Sequence, residues 1–146
     1  MLPAYAELHC LSNFTFLRGA SHPDEAARGS SVNRPAGLLM EPKLREGFAK
    51  LHPLGLSFDA WMYFTQLGEL ADLARAFPAT PIVLNHVGGA IGIGPYAGKR
   101  DEVFSQWRRG IDEVASCPNV HVKLGGLGMR LFGFDVHEGA LPPSSE

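Results

Sequence analysis

The sequence predicts an α/β protein built on a parallel sheet. Short apolar runs (GLSFD, PIVL, NVHVKL) alternate with two longer segments of helical periodicity, and Pro or Gly punctuates almost every junction. The resulting order, β-α-β-α-β with short connections, implies parallel strands joined by right-handed crossovers.

Taken from the N-terminus, Tyr5–Cys10 reads as a strand. A loop follows, and a helix begins after Ser21, a suitable N-cap with Asp24 and Glu25 in the first turn. From Ala27 to Gly37 the chain reads ARGSSVNRPAG, a linker and the expected seam between residues 1–27 and 38–146. Pro42–Leu51 is expected to form a short helix and Leu54–Asp59 a strand. Thr65–Phe77 places Leu67, Leu70, Ala74 and Phe77 on one helical face. Pro78 and Pro81 bracket its end, and Ile82–Leu84 is the next strand. Asp101–Cys117 is a second amphipathic helix, with Val103, Phe104, Trp107, Ile111 and Val114 as its stripe. Pro118 and Asn119 stop it, and Val120–Leu124 is a further strand.

The 146 residues suit one modest domain, and 45% hydrophobic with 19% charged residues is ordinary for a globular protein. A net charge of −2, with no basic cluster larger than Arg108–Arg109 or Lys99–Arg100, argues against a nucleic-acid partner. Cys10 and Cys117 form no C-x-x-C pair and read as thiols of a reducing compartment. No signal-peptide core opens the chain and no apolar run is long enough to span a bilayer, so the expectation is a cytoplasmic protein without a membrane partner.

Reactive groups of parallel α/β proteins gather at the C-terminal ends of the strands. Three such ends are readable: Asp59 in GLSFD, Asn85 and His86 in IVLNH, and Lys123 in VHVKLGG. A period of two puts Ile82, Leu84 and His86 on one face, and His121 and Lys123 together on another. A carboxylate, an imidazole and an ammonium at one rim would bind a metal, activate water or clamp an anionic substrate. Each residue also has a plain structural use: a strand-end Asp or Asn caps a turn, a lysine snorkels, and a lone histidine on an apolar strand is often structural.

Gly92-Ile93-Gly94-Pro95-Tyr96-Ala97 formally matches the dinucleotide pattern G-x-G-x-x-A. Pro95 and Tyr96 stand where a helix would have to start, and the following strand ends in Lys123-Leu124-Gly125 without the acidic residue a ribose requires. The segment therefore reads as a substrate-covering loop, with Tyr96 as a substrate contact, and the alternative is a purely structural loop. Of the other histidines, His22, His52 and His137 read as solvated or capping residues, whereas His9 ends the first strand.

From about Ser30 to Glu146, the segments REGFAKLHPLGLSFDAW, QLGELADLARAFP, PIVLNHVGG, GIGPYAGKRDEVF, WRRGIDEVASCPNVHVKLGGLGM and GFDVHEGALPPSS resemble the amidohydrolase-related family of TIM-barrel hydrolases. That group includes lactonases acting on dicarboxylate lactones. The resemblance implies a partial (β/α)8 barrel and hydrolysis of a lactone, ester or amide by activated water, with one divalent metal, zinc or manganese. By the same resemblance His86 matches the mid-barrel strand histidine that contributes to metal or substrate binding. Asp59 and Lys123 fall at neighbouring strand ends. In the hydrolase expectation Asp59 is the catalytic companion of His86, and Asn85, Lys123 and Tyr96 are contacts of a small carboxylated lactone or ester. YAELHCLSNFTFLRGASHPDE instead resembles the opening of the PHP domain of error-prone DNA polymerases. That domain's first strand usually ends in His-x-His; here the motif is His9-Cys10-Leu11, leaving His9 as the metal ligand.

A complete barrel takes about 250 residues. The expectation is thus an incomplete barrel, lacking the family's first-strand His-x-His and stopping before the late strand that brings the catalytic aspartate. Open sheet edges would promote homo-oligomers. Catalysis by the isolated chain is then expected to be impaired or absent. The alternatives are a PHP-type fragment linked to an error-prone polymerase, or a fused or shortened reading frame with no activity of its own.

Overall fold

The computed structural model describes residues 37–134 and 139. The expected first strand with His9, the helix after Ser21, most of the 28–37 seam and His137 lie outside the described residues.

The described chain opens with a single 3-10 turn, Leu38–Met40, whose amides at Gly37 and Leu39 donate to the Glu69 carboxylate at 2.7 and 3.2 Å. Helix α1, Pro42–Phe48, starts with proline at its first turn, where no amide partner is needed. It is tied back by Arg45, whose Nε donates to Leu39 O at 2.9 Å and whose guanidinium pairs with Asp72. Strand β1 covers Phe58–Ala60, later than the Leu54–Asp59 reading. His52–Leu54 coil into a 3-10 turn begun by Pro53 and ended by Gly55 at φ 68°, so Leu54, 68% exposed, faces water instead of a sheet.

Helix α2, Leu67–Ala76, buries Leu67, Leu70, Ala71, Leu73 and Ala74, and Pro78 prevents its continuation. Its C-terminal carbonyls are held from a distance: Asn119 Nδ2 lies 3.2, 3.1 and 3.0 Å from the oxygens of Ala74, Phe77 and Thr80. Strand β2 is Ile82–Leu84, as its apolar triplet predicts. Helix α3, Arg100–Ala115, carries Asp101 and Glu102 in its first turn, favourable against the helix dipole. Within its stripe Val103 and Val114 are buried, whereas Phe104 is 55% exposed and rests against Trp107 at 5.5 Å. Strand β3 is Val120–Val122.

The three strands form one parallel sheet in the order β1-β2-β3. Ala60, Ile82 and Leu84 share a core with Leu67, Leu70, Leu73 and Val114 of the two helices. The helices approach closely because Gly110 of α3 leaves room for Leu67; a Cβ at Gly110 would stand 2.7 Å from that of Leu67. The opposite face carries the register row Asp59, Val83 and His121, of which Asp59 and His121 are exposed. Parallel sheets are usually covered on both faces. Among the described residues, the helices pack on one.

Candidate functional site

Register sets the geometry of the rim. Ala60, Leu84 and Val122 lie side by side across the sheet, so the residues that follow them, Trp61, Asn85 and Lys123, succeed one another along its C-terminal edge. There β2 gives way to a left-handed turn. His86, Val87, Gly88 and Gly89 have φ values of 50°, 50°, 76° and 57°. This conformation costs a residue with a side chain about 1–2 kcal/mol, and it stands here at two consecutive such residues.

Four hydrogen bonds stabilise it, three from outside the turn and one within it. Trp107 Nε1 of α3 donates to Val87 O at 2.6 Å, and Val87 N donates to Lys123 O at 3.3 Å. Gly89 N donates to His86 O at 3.1 Å, and Phe64 N donates to Gly89 O at 3.2 Å. Glycine at the last position serves both torsion and space: a Cβ on Gly89 would stand 2.4 Å from Met62 O. The period-two expectation for His86 therefore ends at Leu84, because the turn redirects the imidazole.

The redirected side chain joins two others in a shared condition. Trp61 Nε1, Asn85 Oδ1 and His86 Nδ1 are all buried, and none has a hydrogen-bond partner. The Trp61 and His86 rings stand perpendicular with centroids 6.2 Å apart. The segment after β3 lies over the imidazole: a Cβ at Gly126 (φ 76°) would sit 2.6 Å from His86 Nδ1 and 2.8 Å from Met129 Cε. Buried polar atoms are nearly always partnered, and each exception asks for an explanation. Trp61, Asn85 and His86 supply three such exceptions, on residues that directly follow paired positions at the C-terminal edge of the sheet or come one further along.

Asp59 and Lys123 are brought together as well, but with each other. Asp59 lies in the middle of β1, not at its end, and its Oδ2 accepts from Lys123 Nζ at 2.9 Å. Their side chains are about half exposed, at 51% and 53%. Tyr96 belongs to the 3-10 turn Gly94–Tyr96 and sets its ring edge-on to the buried Phe64 at 5.2 Å. The glycine loop is pinned where Gly92 N donates to Leu131 O at 2.9 Å. Trp61 is the residue that the sequence reading passed over. The signal was the indole directly after Asp59-Ala60 in FDAW.

A zinc centre takes at least three protein ligands. Among the described residues, no group of three or more His, Cys, Asp or Glu side chains gathers to hold a metal. His86 supplies one unpartnered imidazole nitrogen, and Asn85 one amide oxygen. These residues do not by themselves fit a divalent metal centre. Among them, too, no helix is long and apolar enough to cross a membrane.

A protein of Sinorhizobium fredii with no assigned activity is 35% identical over 118 residues, covering 81% of this chain. The chain spans 37% of that relative's length. The error-prone DNA polymerase of Azoarcus is 83% identical over 84 residues, covering 51% of this chain and 8% of the polymerase. Among solved structures, an amidohydrolase from Burkholderia multivorans with bound HEPES superposes with a TM-score of 0.53 at 24% identity, covering 62% of this chain and 31% of that one. A crystal form of the B. multivorans amidohydrolase with bound zinc gives 0.52 at 25% identity, covering 62% and 30%. Both share the parallel α/β arrangement, and this chain matches a portion of their barrel. The amidohydrolase family profile matches residues 12–145. The chain belongs to the amidohydrolase family.

Proposed function

We propose that this chain carries one wall of a hydrolase site acting on a small lactone, ester or amide, with His86 and Asn85 at its centre. The observation that supports this reading is the row of unpartnered buried polar atoms on Trp61, Asn85 and His86 at the C-terminal edge of a parallel sheet. In such a reaction water adds to the carbonyl carbon, the bond to the leaving oxygen or nitrogen breaks, and the leaving atom takes a proton. His86 would orient or polarise the carbonyl, and the left-handed turn fixes its direction. The Asp59–Lys123 pair would stand beside the reacting group, its two charges held against each other. The free thiol of Cys117 suits a reducing, cytoplasmic setting. The outer positions of β1 and β3 in the described sheet leave edges through which copies of the chain could associate.

The test is lactone or ester hydrolysis followed by proton release, comparing the parent chain with His86→Ala and Asn85→Ala. Activity lost in both variants, with circular dichroism unchanged, supports the reading; equal rates in His86→Ala remove His86 from it. A second reading, a module associated with an error-prone polymerase, draws on the 83% identity with the Azoarcus enzyme. It requires salt-sensitive DNA binding, which fluorescence anisotropy measures directly.

A further inference from the structure

We infer that Trp61 is a substrate-binding residue, and that the subsite it forms with Asn85 takes an uncharged group carrying both an acceptor oxygen and a donor hydrogen, in preference to a carboxylate. This rests on the hydrolase reading for the ligand's fate, while the binding rests on two unpartnered buried atoms and the register of the residues that carry them.

An indole N–H only donates, and an amide oxygen only accepts. Both Trp61 Nε1 and Asn85 Oδ1 are buried without a partner. Each directly follows a residue paired across the sheet, Ala60 with Leu84, so the donor and the acceptor come from neighbouring positions on one edge. A hydroxyl or primary amide satisfies both at once, accepting from Trp61 and donating to Asn85. A carboxylate accepts from Trp61 but turns lone pairs toward the Asn85 oxygen, and it loses its hydration on entry. The neighbouring ammonium offers limited compensation, since Lys123 Nζ is already 2.9 Å from Asp59 Oδ2. Sites built to hydrogen-bond a substrate group discriminate against analogues that leave a buried partner unpaired.

The experiment is a titration of the 15N-labelled chain with two probes on one ring, 3-hydroxy-γ-butyrolactone and 5-oxotetrahydrofuran-3-carboxylate. The readout is the indole N–H resonance of Trp61, identified by its loss in Trp61→Phe; should that variant not fold, Trp107→Phe leaves Trp61 as the remaining indole. The hydroxylactone is expected to shift this resonance and to bind about tenfold more tightly than the carboxylate, a ratio that Trp61→Phe and Asn85→Ala each reduce toward one. A carboxylate that binds as tightly, binding that leaves the indole unmoved, or binding of neither probe overturns the inference. Hydrolysis products are visible in the same samples. Binding with an indole shift but no hydrolysis removes the hydrolase reading and leaves this one standing; hydrolysis with an unmoved indole does the reverse.

Discussion

Gly55 and Gly89 offer a matched pair of substitutions that separates torsional from steric cost. Both have positive φ, 68° and 57°. Alanine in the left-handed region costs about 1–2 kcal/mol at either site. A Cβ at Gly55 meets nothing within 4 Å, so that cost is the whole effect. At Gly89 the new carbon would lie 2.4 Å from Met62 O, a backbone wall that no rotamer change can move. The turn must retreat, and the bonds it holds, Phe64 N to Gly89 O and Gly89 N to His86 O, weaken with it. At about 1 kcal/mol for each bond, Gly89→Ala loses roughly 3–4 kcal/mol against about 1–2 for Gly55→Ala. Domains are stable by about 5–15 kcal/mol, so the first loss is a large share and the second is not. Urea unfolding followed by circular dichroism measures both, provided the m-value is unchanged. Coincident midpoints for the two variants would refute the claim that the turn is wedged against Met62. If the proposed hydrolase reading holds, Gly89→Ala should also lose hydrolysis under conditions where it remains folded, because Gly89 braces the turn that aims His86, and Gly55→Ala should not.

Trp107→Phe keeps a six-membered aromatic ring but deletes the donor to Val87 O together with the pyrrole part of the indole, with an expected loss of about 1 kcal/mol for the bond and more for the lost packing in urea unfolding. On the proposed hydrolase reading, the variant should also lose hydrolysis; parental activity would show that the turn holds without the indole. Asn119→Ala removes the amide shared among the carbonyls of Ala74, Phe77 and Thr80, and should cost about 2 kcal/mol. Faster amide exchange is expected in the last turn of α2, and Asn119→Asp should be worse, because a carboxylate would face three carbonyl oxygens. An unchanged melting temperature in Asn119→Ala would show that water replaces the clamp at no cost.

Local pattern made some parts of the molecule legible. Ile82–Leu84 is bracketed by Pro81 and the polar Asn85-His86, and its strand bounds follow from composition alone. The stripe of α3 marks its extent to within two residues at either end, but Phe104 within it stays exposed; a helix face wide enough to hold five apolar residues need not bury all of them. β1 was misread because Leu54 and Leu56 look like strand residues, while Pro53 and Gly55 impose a turn that propensity does not weigh. At the site, Asn85 and His86 were readable as a strand end. The left-handed turn was not, since its supports come from Trp107, Phe64 and Lys123, each distant in sequence. Trp61 was missed for a related reason: a tryptophan beside a strand reads as packing, and only the absence of a partner for its N–H marks it otherwise.

The ion pair between Asp59 and Lys123 spans the sheet face that the described helices leave uncovered. Its strength depends on what surrounds it. Two unit charges 4 Å apart attract by about 1 kcal/mol in water and about 4 kcal/mol at an effective dielectric constant of 20. While the face stays wet, salt also acts on the pair, since the screening length falls from about 30 Å at 0.01 M to about 3 Å at 1 M. A wall laid over the face, from this chain or another, would raise the coupling and blunt its response to salt. The coupling energy of Asp59→Asn with Lys123→Met, measured across ionic strength, thus makes the pair a dielectric gauge of whether that face is open or closed in solution.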